Sequence, residues 1–383
     1  MQKKAIIFVS TMGSSPWGGS EELWSQAALN LVARGVPVAA SVYRWSPPHK
    51  RVLDLLQAGV KLQQRYINHP IWMRAWRTAI SSNKGSLTLD LERFLAANPP
   101  ALVVLSDGGP LPPLELMEMC VREGWRFVTV GQMNSEIFWP DDELGERYRK
   151  VLPAALRCFF VSRANKLLAE KQFGYEFTNA EVVHNPYGVS ATVSLSWPTL
   201  GERGEIRLAC VARLYPPAKG QDILLEALAK PSWTARNWCL SLYGDGPAQK
   251  SLAHLVKRLN LSERVDFAGY VPVEEIWASN HVLVMPSRYE GLPLAMVEAM
   301  MCARPVIATD VAGHSEIIED GVTGFLAKAP TVASMAKALE RGWARRAEFE
   351  EIGLAAAKSI RKIVPADPVD IFSSKLQEYA ISR

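Results

Sequence analysis

The sequence predicts an α/β protein made of two doubly wound, Rossmann-like domains, and three observations lead there. The chain has 383 residues, more than a single core commonly serves, so two domains are expected. Short apolar runs closed by Gly, Pro, Ser or Asn alternate with longer stretches of helical period, the mark of parallel strands buried on both faces between crossover helices. Between the halves, in "NPYGVSATVSLSWPTLGERGE", Pro, Gly, Ser and Thr displace any clear period, which places a linker near residues 186–204.

Taken in order, the strand-like runs of the first half are "AIIFVS", "VPVAASVY", "ALVVLS", "RFVTV", "LRCFFVS" and "AEVVHN". Those of the second are "IRLACVA", "WCLSLYG", "RVDFAG", "HVLVMPS" and "RPVIATD". The domains are read as residues 1–190 and 205–362. Beyond Pro365 and Pro368, "VDIFSSKLQEYA" has the period of one more amphipathic helix, within residues 366–383, and is a candidate to cross back to the first domain. In open parallel sheets ligands sit beyond the carboxyl ends of the strands, so two such sheets facing each other are expected to leave a deep cleft.

Composition narrows the function classes. Hydrophobic content of 48% with 21% charge indicates neither disorder nor a fibrous architecture. The cysteines, Cys120, Cys158, Cys210, Cys239 and Cys302, are odd in number and scattered, with no CxxC spacing. They read as buried thiols in a reducing compartment rather than as zinc ligands or disulfides. In "MQKKAIIFVSTMG" two lysines precede an apolar run, but Ala5 to Val9 is too short for a signal peptide, and Gly13 and Pro16 end it as a strand meets a loop. No stretch approaches the roughly eighteen apolar residues of a membrane span. The expectation is a cytoplasmic protein, at most peripheral at the inner face of the membrane, with no nucleic-acid partner.

The net charge of +4 lies entirely in the first half: residues 1–185 hold 21 Lys or Arg against 17 Asp or Glu, and residues 186–383 hold 22 against 22. Residues 55–89 carry Lys61, Arg65, Arg74, Arg77 and Lys84 with no acid, interleaved with Tyr66, Trp72 and Trp76. Two readings stand, a solvated helix face or contact with an anionic membrane surface through residues 61–84.

The chemistry concentrates in "HVLVMPSRYEGLPLAMVEAMMCA". The pattern gives a central strand, a loop at its carboxyl end holding Glu290, and a helix holding Glu298, with Pro293 suited to the first helical position. The N–H groups around Gly291, Leu292 and Leu294 then form an anion site suited to a phosphate. Two carboxylates beside a phosphate demand positive charge, and "ARLYPPAKGQD" supplies Arg213 and Lys219 at another strand's carboxyl edge. The glutamates are left to accept hydrogen bonds from hydroxyls, one near a ribose and one near a sugar, as a nucleotide-sugar donor requires. Each feature alone has a plainer reading: Glu pairs at this spacing and isolated surface cations are common. No second acidic cluster pairs with "PDDELGE", so no metal and no cofactor are expected.

These residues resemble the retaining GT-B glycosyltransferases of family four. The signature E-x(7)-E is matched by Glu290 and Glu298, and the R…KG pair by Arg213 and Lys219-Gly220; "YGDGP", "VDFAGYV", "RPVIATDVAGHSE" and "DGVTGFLA" follow in the family's order, over roughly residues 205–330. The early "WGGSEELWSQAALNLVARGVPV" resembles the family's Gly-Gly loop, which implies that Gly18 and Gly19 let the backbone approach the donor phosphates.

The resemblance implies Glu290, Arg213 and Lys219 as the catalytic set, with Gly18, Gly19, Gly291, Leu292, Leu294 and Glu298 completing the donor site. Many members carry a histidine after the strand matching "RFVTV", where "GQMNSE" stands here. Gln132, Asn134 and Glu136 are therefore acceptor-side candidates. Asp107 is another, although a turn-forming aspartate explains it as well; His184 and His314 are read as satisfying local hydrogen bonds.

What the resemblance implies is transfer of a sugar from a nucleotide-diphosphate sugar to a hydroxyl of a glycan, lipid-linked or small-molecule acceptor, with retention and without metal, in cell-surface polysaccharide or glycoconjugate synthesis. Two rivals stay open. A sugar-nucleotide 2-epimerase would isomerise the donor, and a catalytically inactive nucleotide-sugar binding protein would leave it intact.

Overall fold

The computed structural model describes residues 4–13, 15–66, 86–201 and 204–381. The chain divides into two compact units, Met1–Pro186 with Asp367–Arg383, and Tyr187–Ala366.

In the first unit the strands are β1 (Ala5–Ser10), β2 (Val38–Tyr43), β3 (Lys61–Arg65), β4 (Pro100–Asp107), β5 (Phe127–Gly131), β6 (Arg157–Phe160) and β7 (Ala180–Val182). They form a parallel sheet in the order β3-β2-β1-β4-β5-β6-β7. The central strands are the continuous apolar runs because both faces are covered: Ile7, Phe8, Val9, Val103 and Val104 are fully buried. β3, "KLQQR", is a polar edge strand that the hydrophobic pattern misses; only its last residue, Arg65, is buried. Arg65 therefore does not belong to an exposed basic face, and Arg74, Arg77, Lys84, Trp72 and Trp76 lie outside the described residues.

In the second unit β8 (Ile206–Val211), β9 (Trp238–Tyr243), β10 (Val265–Gly269), β11 (Val282–Met285), β12 (Val306–Thr309) and β13 (Gly324–Ala327) form a parallel sheet in the order β10-β9-β8-β11-β12-β13. β13, "GFLA", is the other strand absent from the sequence reading, and it too is an edge. In both sheets the strand order reverses beside the first strand, between β1 and β4 and between β8 and β11. At such a switch point the loops leaving two neighbouring strands diverge and open a crevice.

The segment read as a linker lies against the second unit. Val189 is buried, Trp197 stacks edge-on with His281 at 5.6 Å, and the fully buried Arg304 donates to the Ser196 carbonyl at 2.8 Å. The helix Pro368–Ile381 belongs to the first unit: Phe372 and Leu376 enter its core, Phe372 meets Phe159 at 5.3 Å, and Asp370 pairs with Arg34 at 2.5 Å.

Candidate active site

The second sheet's switch point brings the two charged motifs together. β8 and β11 are paired neighbours, with Leu208 opposite Val282 and Ala209 opposite Leu283, so the loops at their carboxyl ends meet. Gly220 follows the short helix Pro216–Lys219 with φ of 64°. A β-carbon there would sit 2.0 Å from the Pro286 carbonyl oxygen, so only glycine allows the β8 loop to lie this close to the β11 loop.

Lys219 is thereby set against Glu290: Nζ lies 2.6 Å from Oε1, with the glutamate side chain 7% exposed and the lysine 24%. Ser287 Oγ donates to the same oxygen at 2.8 Å. Arg288 clamps the loops from outside. Its N–H donates to the Ala218 carbonyl at 2.8 Å, and its guanidinium reaches the Pro216 carbonyl at 2.7 Å and both Asp222 carboxylate oxygens at 2.8 and 2.7 Å. A planar fork suits that bidentate pair. Neither Ser287 nor Arg288 with Asp222 stands out in the sequence.

Arg213 is placed differently from Lys219. It is exposed, its guanidinium lies 5.0 Å from the centre of the Tyr215 ring, and its carbonyl accepts from Gln221 Nε2 at 2.9 Å.

The helix Leu294–Met301 begins one residue later than the sequence suggested, because Pro293 is extended (φ −70°, ψ 130°) and forms the N-cap. Its carbonyl accepts from Met296 at 3.2 Å and Val297 at 3.4 Å, while the Gly291 carbonyl accepts from Gly313 N–H at 3.3 Å. Leu294 is the first helical residue, where N–H groups have no partner inside the helix, and Gly291 and Leu292 precede it. Glu298 is buried within this helix and its Oε1 accepts the Gly188 N–H at 2.8 Å. Burial pushes its carboxyl above the ordinary range, and the Gly188 hydrogen bond works against that rise. The two glutamates thus have separate partners, Lys219 and Ser287 for one and a backbone amide for the other.

In the first unit, Gly18 caps the helix Gly19–Ala33, and a β-carbon on it would lie 2.6 Å from Met12 Cε. Asp107 ends β4 beside β1, bonded to the Thr11 hydroxyl and accepting the Gly109 N–H at 2.6 Å. That is the turn-forming arrangement, and burial pushes its carboxyl up. Gln132 is buried next to the same edge: its N–H donates to the Asp107 carbonyl at 3.2 Å and its Oε1 accepts from Asn185 at 2.7 Å, while Nε2 has no hydrogen-bond partner among the described residues. Asn134 is buried and spent locally, on Ser135 N–H at 2.8 Å. Glu136 is exposed.

Sequence reasoning misses Glu21 altogether. It is buried, accepts from Ser10 Oγ at 2.7 Å, and desolvation raises its pKa to about 7. His314 is fully buried with Nδ1 2.6 Å from the Thr309 carbonyl, a satisfied local bond.

Among the described residues no three His, Cys, Asp or Glu side chains are grouped to hold a metal ion, and no helix is long and apolar enough to cross a membrane.

Residues 205–344 match the family glycosyl transferases group 1. Alpha-D-kanosaminyltransferase of Streptomyces kanamyceticus is 36% identical over 126 residues, which span 32% of this chain and 33% of that protein. The chain therefore covers about a third of that relative's length. GDP-mannose-dependent alpha-(1-6)-phosphatidylinositol monomannoside mannosyltransferase of Mycolicibacterium smegmatis is 26% identical over 320 residues, 77% of this chain and 79% of the relative. Among solved structures, Anabaena HepE in complex with UDP gives a TM-score of 0.74 at 18% identity, over 98% of this chain and 99% of the other, a likeness of fold. Residues 205–344, which hold Arg213, Lys219 and both glutamates, thus match glycosyl transferases group 1 within a chain whose fold is that of the GT-B glycosyltransferases.

Proposed function

We propose that the protein is a retaining glycosyltransferase of family four that moves a sugar from a nucleotide-diphosphate sugar to a hydroxyl acceptor in cell-surface polysaccharide or glycoconjugate synthesis. The observation that carries the proposal is the meeting of Lys219 and Glu290 at the switch point of the second sheet, 2.6 Å apart, inside the segment that matches glycosyl transferases group 1. A diphosphate needs cations and N–H donors, which Lys219, Arg213 and the amides of Gly291, Leu292 and Leu294 supply. The transferred sugar and the ribose need hydrogen-bond acceptors, and Glu290 and Glu298 take those roles.

No side chain is assigned as a covalent nucleophile, so departure and attack occur on one face of the sugar. The catalytic work is positioning and stabilising the charge of the leaving diphosphate. Lys219 and Arg213 take the electrostatic part of a divalent cation, and activity is expected to survive EDTA. On the acceptor side the proposal retains Asp107 and Gln132 and drops Asn134, which is spent locally, and Glu136, which is exposed.

The mannosyltransferase relative is named for a phosphatidylinositol-linked substrate. That supports a lipid-linked acceptor, brought in through the basic stretch up to Lys84. Flotation with anionic vesicles, comparing wild type with a variant carrying glutamine at Arg74, Arg77 and Lys84, checks it: equal or absent binding removes the membrane part.

The central test is thermal stabilisation by UDP-glucose, UDP-N-acetylglucosamine and GDP-mannose, followed by nucleoside-diphosphate release. One donor should stabilise the wild type by about 2.7 kcal/mol at a hundred times its Kd. Lys219→Ala and Arg213→Ala should each weaken its nucleoside diphosphate roughly ten- to hundredfold. Unchanged affinity in both variants overturns the site.

A further inference from the structure

Lys219 and Ser287, which both donate to Glu290, are of opposite character. Lys219 is a flexible, partly exposed side chain on a four-carbon stem. Ser287 is 1% exposed and its backbone is held: the Thr309 hydroxyl, on a fully buried residue at the end of β12, donates to the Ser287 carbonyl at 2.6 Å. The Thr309 carbonyl in turn faces His314 Nδ1 at 2.6 Å. A carbonyl can only accept, so Nδ1 carries a proton. Among the described residues Nε2 has no hydrogen-bond partner, and burial lowers the pKa of this imidazole. Hydrogen bonds thus run from His314 to the Thr309 carbonyl and from the Thr309 hydroxyl to the Ser287 carbonyl.

We propose that Ser287, locked by Thr309, is the positioning residue for Glu290: it fixes the carboxylate against the transferred sugar whatever bonds the Lys219 ammonium makes to the diphosphate. This rests on the transferase reading above. An ammonium engaged by a diphosphate cannot define the carboxylate's angle, because its stem moves with the ligand. A serine hydroxyl on a bonded backbone can. Geometry at a reacting sugar is demanding, and a small misplacement of a contact group is costly.

The experiment compares affinities for a sugar nucleotide and for the bare nucleoside diphosphate, using UDP-glucose with UDP and GDP-mannose with GDP, by calorimetry. Ser287→Ala should change the ratio of the two Kd values about tenfold, while the nucleoside-diphosphate Kd stays within about twofold, as expected for losing a hydrogen bond to a charged group. Thr309→Val should shift the ratio in the same direction, and Thr309→Ser, which keeps the hydroxyl, should not. In a Glu290→Ala background Ser287→Ala should have no further effect on the ratio.

An unchanged ratio in Ser287→Ala, or equal losses for both ligands, overturns the proposal, as does an effect that persists without Glu290. If the wild type binds neither pair, the transferase reading falls and this inference with it. Normal wild-type binding with an unaltered variant removes only the inference. Thermal unfolding of each variant separates loss of fold from loss of positioning, and Thr309→Ser keeps the test readable if Thr309→Val unfolds.

Discussion

Glu290 and Glu298 have different neighbours, and the difference predicts different losses. Glu290→Gln weakens the pairing with Lys219 and changes what faces the transferred sugar, so kcat should fall by tenfold or more, beyond the loss of affinity for the sugar nucleotide relative to the nucleoside diphosphate. Glu298→Gln keeps an oxygen for the Gly188 N–H, so the fold survives and donor affinity takes the loss. Steady-state kinetics decides; a change confined to KM in both variants refutes the role given to Glu290. The meeting of Lys219 with Glu290 was legible in the sequence because the KG motif and the glutamates each follow a strand, although neither the Glu spacing nor a lone cation is distinctive by itself. Ser287 and Thr309 were not, since a hydroxyl residue announces nothing until a neighbouring strand is known. Glu21 was illegible for a related reason: an acid in a helix's first turn looks solvated. Its folded pKa, about 7, lies above the ordinary 4.5, so its contribution to stability is present below 4.5 and is lost as pH rises through 7. Glu21→Gln should therefore stabilise the protein by about 1–3 kcal/mol at pH 8 and change little at pH 5, read from thermal unfolding at the two values.

At the scale of elements, the strands found from sequence are mainly those whose covered faces force a run of apolar residues. β3 escaped because a sheet edge beside water tolerates "KLQQR", and β13 because four residues carry too little pattern. Pro293 illustrates another limit: proline's fixed φ suits both the first helical position and the cap before it, and only ψ, here 130°, separates the two. The contact of the β8 and β11 loops is the element-level feature on which the site depends. Gly220→Ala requires a left-handed conformation and meets the Pro286 carbonyl, so it should cost roughly 2–4 kcal/mol. It should also weaken nucleotide binding more than a distant mutation of equal cost. Chemical denaturation and calorimetry on the same variant check both, and a cost below about 1 kcal/mol would mean that the loops separate readily.

For the whole molecule, the helix Pro368–Ile381 is a structural part of the first unit. Phe372 is 1% exposed and packs on Phe159, so Phe372→Ala should cost about 3–5 kcal/mol, with the loss carried by the first unit. Hydrogen exchange should show faster opening of β1 and β6 while β8 and β11 keep their protection; uniform loss in both units would contradict the division. The sequence marked this helix by its period and the prolines before it. What it could not mark was the fate of residues 187–204, whose loop-like composition hides Val189 and Trp197 against the second unit. Burial of such a segment depends on the surface it meets, and composition does not record that surface.

The Tyr187 hydroxyl donates to the carbonyls of Pro365 at 3.3 Å and Ala366 at 3.5 Å, so the chain enters and leaves the second unit at one place. That makes the second unit an excursion from the first and inverts the usual order of events on the ribosome. The second unit can close as soon as residue 366 emerges, whereas the first must wait for Phe372 and Leu376 to cover its core. At about 5–20 residues per second, the first unit stays open for roughly ten to forty seconds while the second is translated. The earliest part of the chain to be made is thus the last to finish folding, and Phe159, which packs on Phe372 and Tyr379, is a surface that remains uncovered for a chaperone during that interval.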